Sequence, residues 1–146
     1  AFRENFFLDD GAFLIAKILI KMAKLRIDNK TVDLLIEDLR EAEYSAEFRI
    51  PITGEDFREK GDRILFDLYK AVEQWEGFTL APDNREGVRV NVNGEKGWFL
   101  LRLSLHDPIL PLNIEADSKQ TASAILQQLS AFLKNYEALE LCVLES

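Results

Sequence analysis

Cysteine and histidine are nearly absent from this chain, at one residue each in 146. The lone Cys142 excludes an internal disulfide and any cysteine-built zinc site, and the lone His106 excludes a two-histidine metal site. Cys142 stands between Leu141 and Val143, so a buried structural thiol is expected. Positive charge is scarce: 18 Lys and Arg against 26 Asp and Glu leave a net charge of −8. That balance disfavours nonspecific attraction to nucleic acid or to anionic lipid. Long apolar runs are missing as well. The longest, Phe13 to Ala23, is interrupted by Lys17 and Lys21, and it falls short of the roughly 20 residues that span a bilayer. With no signal peptide or targeting pattern, the expected location is intracellular, cytosol or plastid, and not secreted. An initiator methionine is also lacking, and the opening Ala1-Phe2-Arg3-Glu4-Asn5 reads as the interior of something longer.

What is present is an ordinary apolar fraction, 47% of residues, enough to bury a real core. The length suits one domain, or a small domain with a fragment of another. Two compositional blocks are expected, 1–43 and 44–146. In the first, Asp9 or Asp10 is placed to cap a helix from near Gly11. Phe13, Leu14, Ile15, Ile18, Leu19, Ile20 and Met22 make that helix apolar on nearly every side, with Lys17, Lys21 and Lys24 as a narrow polar stripe. A second helix is expected after Thr31, with Leu34, Leu35 and Leu39 on one face. So short a block cannot cover the first helix, so it reads as the helical tail of an α/β domain.

The second block is more self-sufficient. Phe48, Ile50 and Ile52 alternate with polar residues or proline, as a strand with one buried face does. A helix follows from near Phe57 to Glu76, its apolar face running through Ile64, Leu65, Leu68, Val72 and Trp75, with Gly77 placed to end it. Val88, Val90 and Val92 mark a strand, and Asn93-Gly94 a turn. Trp98 to Leu103 is apolar on both faces, as befits a central strand. Ile109 to Glu115 is the next strand, and a last helix starts at Asp117 with Gln120 in a capping-box spacing. The expected fold class is therefore α+β: a four-stranded antiparallel sheet with two helices on one face. Trp75, Trp98 and the phenylalanines read as core-facing, which with the acidity disfavours a base-stacking platform. Glu41, Glu43, Glu55 and Asp56 read as solvated charge, with nothing pairing them as acid and base.

Between the central strand and the next lies Arg102-Leu103-Ser104-Leu105-His106-Asp107-Pro108. A guanidinium, a hydroxyl, an imidazole and turn amides at one strand end are the donors a phosphate dianion needs. Pro108, without an N–H, would end the donor set and stiffen the loop. The same heptapeptide also reads as a solvated arginine followed by an ordinary turn.

The sequence around it resembles the α-D-phosphohexomutases: phosphoglucomutase, phosphomannomutase and phosphoglucosamine mutase. Their last domain carries an Arg-x-Ser-(Gly/Asn)-Thr-(Glu/Ser)-Pro loop that binds the substrate's phosphate. Glu86-Gly87-Val88-Arg89-Val90, Gly97-Trp98-Phe99-Leu100-Leu101-Arg102 and Leu112-Asn113-Ile114-Glu115-Ala116 look like that loop's flanking strands. Asn5-Phe6-Phe7-Leu8-Asp9-Asp10-Gly11-Ala12 resembles the segment after the family's sugar-selecting loop in the third domain. By this likeness Arg102 and Ser104 keep the phosphate-binding positions, while Leu105, His106 and Asp107 depart from the usual residues. The Leu105 and His106 amides and the imidazole are candidate substitutes.

The resemblance implies a phosphoserine-dependent transfer between the two ends of a hexose phosphate, with magnesium held by aspartates in another domain. This chain would hold the non-reacting phosphate; nucleophile, metal and sugar-selecting loops would lie in missing N-terminal domains, leaving it inactive alone. Asp9-Asp10-Gly11, at a helix start, reads as a cap and not as the metal site. A non-enzymatic α+β interaction or ligand-binding module, and a mutase-like protein that has lost catalysis, remain alternative readings.

Overall fold

The computed structural model describes residues 3–5, 10–38, 41–82, 84–94 and 96–144. Its contacts divide into two compact units, Ala1–Arg40 and Glu41–Ser146.

In the first unit, helix α1 spans Gly11–Ile27. The Asp10 carboxylate starts it by accepting from the Ala12 and Phe13 N–H groups at 3.0 and 3.3 Å, satisfying donors that the first turn leaves unpaired. Asp9, the other candidate cap, lies outside the described residues. Lys24 and Arg26 in the last turn complement the helix dipole. Of its apolar residues Leu25 is buried, whereas Ile15, Leu19 and Ile20 are more than half exposed. The second expected helix does not form as such. Val32–Leu35 makes a single 3-10 turn, and the Thr31 hydroxyl makes no capping bond. So short a segment, with its leucines exposed, lacks the packing that repays helix nucleation; Leu39 lies outside the described residues.

The second unit is α+β, as expected, but its antiparallel sheet has five strands and not four. Strands β1 (Tyr44–Pro51), β2 (Phe78–Leu80), β3 (Val88–Val92), β4 (Gly97–Leu101) and β5 (Ile109–Ala116) stand in the order β1-β5-β4-β3-β2. The unexpected strand is β2, three residues long and paired with Val90–Val92, too short for alternation to reveal. The doubly apolar β4 is central, as its composition requires. Val90, Phe99 and Ile114 are in register across the sheet, and all are buried.

Helices α2 (Phe57–Val72) and α3 (Lys119–Leu133) cover that face. Ile64, Leu68 and Val72 from α2, and Ile125, Leu129 and Leu133 from α3, share one core with Ile50, Phe99, Leu101, Leu110 and Leu112. Each such side chain contributes about 1.5–3 kcal/mol by leaving water. Helix α2 ends earlier than expected, at Val72. Trp75 lies in the turn that follows, edge-on to Phe78 and Phe132 at 5.4 and 5.9 Å. Helix α3 is capped by Ser118, not Asp117: Ser118 Oγ accepts from the Thr121 N–H at 3.1 Å. The Asn93-Gly94 turn forms with positive φ at both residues, as a primed hairpin turn requires.

Three side chains lie elsewhere than expected, the first being Phe66 on α2, which is more than half exposed. Trp98 sits on the helix-free face of the sheet, with the Arg89 guanidinium 4.3 Å from its ring and its Nε1–H donating to Glu115 at 3.2 Å. Cys142 is exposed. It falls in a 3-10 turn, Leu141–Leu144, where residues three apart eclipse. Leu141, Val143 and Leu144 pack on the core and leave the thiol outside. Among the described residues no helix is long and apolar enough to cross a membrane.

Candidate functional site

The ladder between β4 and β5 continues past the end of β4. The Arg102 N–H donates to the Pro111 carbonyl and the Ser104 N–H to the Ile109 carbonyl, each at 3.1 Å. The connection is thereby tightened to a turn over Leu105–Pro108. Inside it, Ser104 Oγ accepts from the His106 and Asp107 N–H groups at 3.4 and 3.2 Å, a hydroxyl doing a backbone carbonyl's work. The Asp107 carbonyl accepts from the Ile109 N–H at 2.8 Å. Pro108, at the centre of that tight turn, has a φ already near the value it needs. The Pro108 carbonyl in turn accepts from the Ile52 N–H at 2.8 Å, tying the loop to β1.

These bonds set which donors remain. The amides of Ser104, His106 and Asp107 are bonded within the loop, while among the described residues the Leu105 N–H has no protein acceptor. None of residues 102–108 has positive φ, so Leu105 sits in this turn without the backbone strain that would call for glycine.

Arg102 is half-buried and lines a cavity of about 630 Å³ together with Ser104 and Leu105, a volume usual for small-molecule sites. His106 and Asp107 are exposed and do not line it. Of the four residues that the sequence marks as phosphate ligands, three are therefore brought to one cavity, and His106 stands outside its lining.

The opposite wall comes from residues that the sequence did not mark as part of a site. Arg58, Asp62 and Leu65 line the cavity from α2; their i, i+4, i+7 spacing puts them on one helix face. They reach it because Gly61 lets the helix approach the loop closely. A Cβ there would stand 2.5 Å from Leu103 Cδ1. A glycine inside a helix costs about 1 kcal/mol relative to alanine, and that anomaly was the available clue. Arg58 crosses the gap, its Nη2 donating to the Leu105 carbonyl at 2.8 Å. Arg85, Glu86 and Gly87, ahead of β3, supply the third wall.

The lining thus holds three guanidiniums against the carboxylates of Asp62 and Glu86, a local positive balance in a chain of net charge −8. Such a site can hold an anion by forked hydrogen bonds and accept hydrogen bonds from hydroxyls beside it. It offers no metal centre: among the described residues no three His, Cys, Asp or Glu side chains converge as ligands.

Compared by sequence, the chain matches no family model and no curated protein. Compared by structure, it is similar to a phosphoglucomutase/phosphomannomutase family protein from Burkholderia thailandensis, with a TM-score of 0.61 at 22% identity over 88% of this chain. The match covers 24% of that protein, so the chain spans about a quarter of its neighbour's length and shares the fold of that part.

Proposed function

We propose that this chain is the phosphate-binding C-terminal domain of a phosphohexomutase, together with the end of the domain before it. The parent would interconvert hexose 1- and 6-phosphates through a phosphoserine. The observation that carries this reading is the Arg102-x-Ser104 pair at the end of the central strand. It lines an arginine-rich cavity in a fold shared with a phosphoglucomutase/phosphomannomutase family protein.

The roles follow from the donors. Arg102 presents a planar fork to two oxygens of the non-reacting phosphate. Ser104 Oγ already accepts two N–H groups, so its hydroxyl proton is left to donate to a phosphate oxygen. The Leu105 N–H adds a third bond, and the imidazole of His106, which stands outside the cavity's lining, is left as a candidate fourth donor. Binding energy collected here, away from the reacting end, orients the sugar for transfer on another domain. In this reading magnesium is held by aspartates of that other domain, and the chain alone would not interconvert sugar phosphates.

Titration with inorganic phosphate and with glucose 6-phosphate tests the site. Amide shifts are expected first at Ser104, Leu105 and His106, and Arg102→Ala should abolish them. Shifts confined to other residues would remove the assignment, and hexose phosphate interconversion by the chain alone would remove the claim of inactivity. A second reading, a mutase relative that binds and no longer catalyses, is favoured by Leu105-His106-Asp107, which depart from the family's loop. An activity assay on the longer parent protein decides between the two.

A further inference from the structure

Arg58 belongs to α2, 47 positions away from the loop residue whose carbonyl it holds. A guanidinium carries five N–H donors and no acceptor, and the 2.8 Å bond to Leu105 uses one of them. Among the described residues neither Arg58 nor Arg102 has a carboxylate within ion-pair distance, although both line a cavity that also contains Asp62 and Glu86. Two guanidiniums without counter-ions at one cavity are unexpected in a chain that has more carboxylates than cations. Like charges gathered in this way repel unless an anion joins them.

The Leu105 carbonyl sharpens the point. An unengaged carbonyl oxygen beside the cavity would repel a phosphate, whereas here Arg58 neutralises it. The bond also fixes the peptide between Leu105 and His106, whose N–H end rests on Ser104 Oγ. Arg58 therefore holds the turn in the conformation that leaves the Leu105 N–H without a protein acceptor.

We infer that Arg58 is the second anion-binding guanidinium of this site and the positioning residue of its loop, and that the pair Arg58–Arg102 selects a phosphate monoester dianion over a singly charged diester. The inference rests on the phosphate-binding reading above and narrows it. Two forks match the two charges of a monoester, whereas a diester carries one charge and has two of its oxygens esterified. Loss of either fork would weaken that discrimination.

The test is an amide-shift titration of the 146-residue chain with methyl phosphate and, separately, dimethyl phosphate, at mildly alkaline pH. Wild type, Arg58→Gln, Arg58→Lys and Arg102→Ala are compared. Arg58 is exposed, so its two variants should stay folded and melt cooperatively. Arg58→Gln should weaken methyl phosphate binding by roughly tenfold or more, the scale of one charge-assisted bond, and reduce the preference over dimethyl phosphate several-fold. Arg58→Lys should restore part of both. A purely structural role would leave that preference unchanged. If Arg58→Gln binds and discriminates as wild type does while Arg102→Ala does not bind, the phosphate reading stands and Arg58 has no part in it. If wild type shows no response at Ser104, Leu105 or His106, the phosphate reading fails and the role of Arg58 fails with it.

Discussion

Gly87 lies so close to Arg102 that a Cβ built on it would stand 2.8 Å from the Arg102 Cβ and collide with the Leu101 carbonyl oxygen. Its φ of +150° is also one that side chains rarely adopt. The segment before β3 is therefore pressed against the residue that carries the guanidinium, and helps to set where that fork points. Gly87→Ala should cost about 1–3 kcal/mol of stability and weaken phosphate binding more than its distance from the ligand suggests. Urea denaturation and phosphate titration on the same variant check both. A variant with wild-type stability and affinity would show that the contact relaxes freely.

Ser104 Oγ accepts the His106 and Asp107 N–H groups, and in the proposed site its proton is offered to the ligand. Ser104→Ala should remove both, loosening the turn at a cost of about 0.5–1.5 kcal/mol and reducing phosphate affinity. Ser104→Thr keeps the hydroxyl and should retain most of each. Faster hydrogen exchange at His106 and Asp107 in the alanine variant, and not in the threonine one, is the expected signature.

Alternation made β1, β3 and β5 legible, because Phe48/Ile50, Val88/Val90/Val92 and Leu110/Leu112/Ile114 each bury one face against the same helices. The same periodicity cannot register β2, which has three residues. Arg102 and Ser104 were legible because donors at a strand end are a local feature. Arg58 was not. It sits in the run Phe57-Arg58-Glu59-Lys60, indistinguishable from a solvated helix face, and only the long-range contact with Leu105 marks it. The cap at Ser118 instead of Asp117, and the exposed Cys142, turn on one-residue differences in direction that pattern alone does not resolve.

The buried core residues that share one cluster, from Ile50 to Leu139, all belong to Glu41–Ser146. Residues 41–146 expressed alone should therefore fold with a single cooperative transition, retain the Arg102 site, and bind phosphate as the whole chain does. The apolar residues of α1, exposed at Ile15, Leu19 and Ile20, should make the whole chain bind a hydrophobic dye more strongly than 41–146. Loss of cooperative unfolding in the shorter piece would mean that the first unit contributes to the core. Equal dye binding would mean that α1 is covered in solution.

Beyond the end of α3, the Tyr136 hydroxyl donates to the Asp67 carboxylate on α2 at 3.0 Å. Burial first, then the hydrogen bond and the negative charge of Asp67, push the phenol from its ordinary value of 10.0 up to about 12. The fold thus favours the protonated phenol. Its contribution is fully present below the unfolded pKa near 10 and is lost as pH rises through the folded value of about 12. Tyr136→Phe should cost about 1 kcal/mol near neutral pH. The gap between wild type and variant should hold steady through pH 9 and close between pH 10 and 12, as measured by urea denaturation at each pH. Removing the acceptor with Asp67→Ala should bring most of the same loss and weaken the alkaline dependence, leaving the part that burial of the phenol causes. A gap that stays constant to pH 12 would mean that the phenol ionises alike in the folded and unfolded chains, and that the bond between the two helices contributes nothing dependent on its proton.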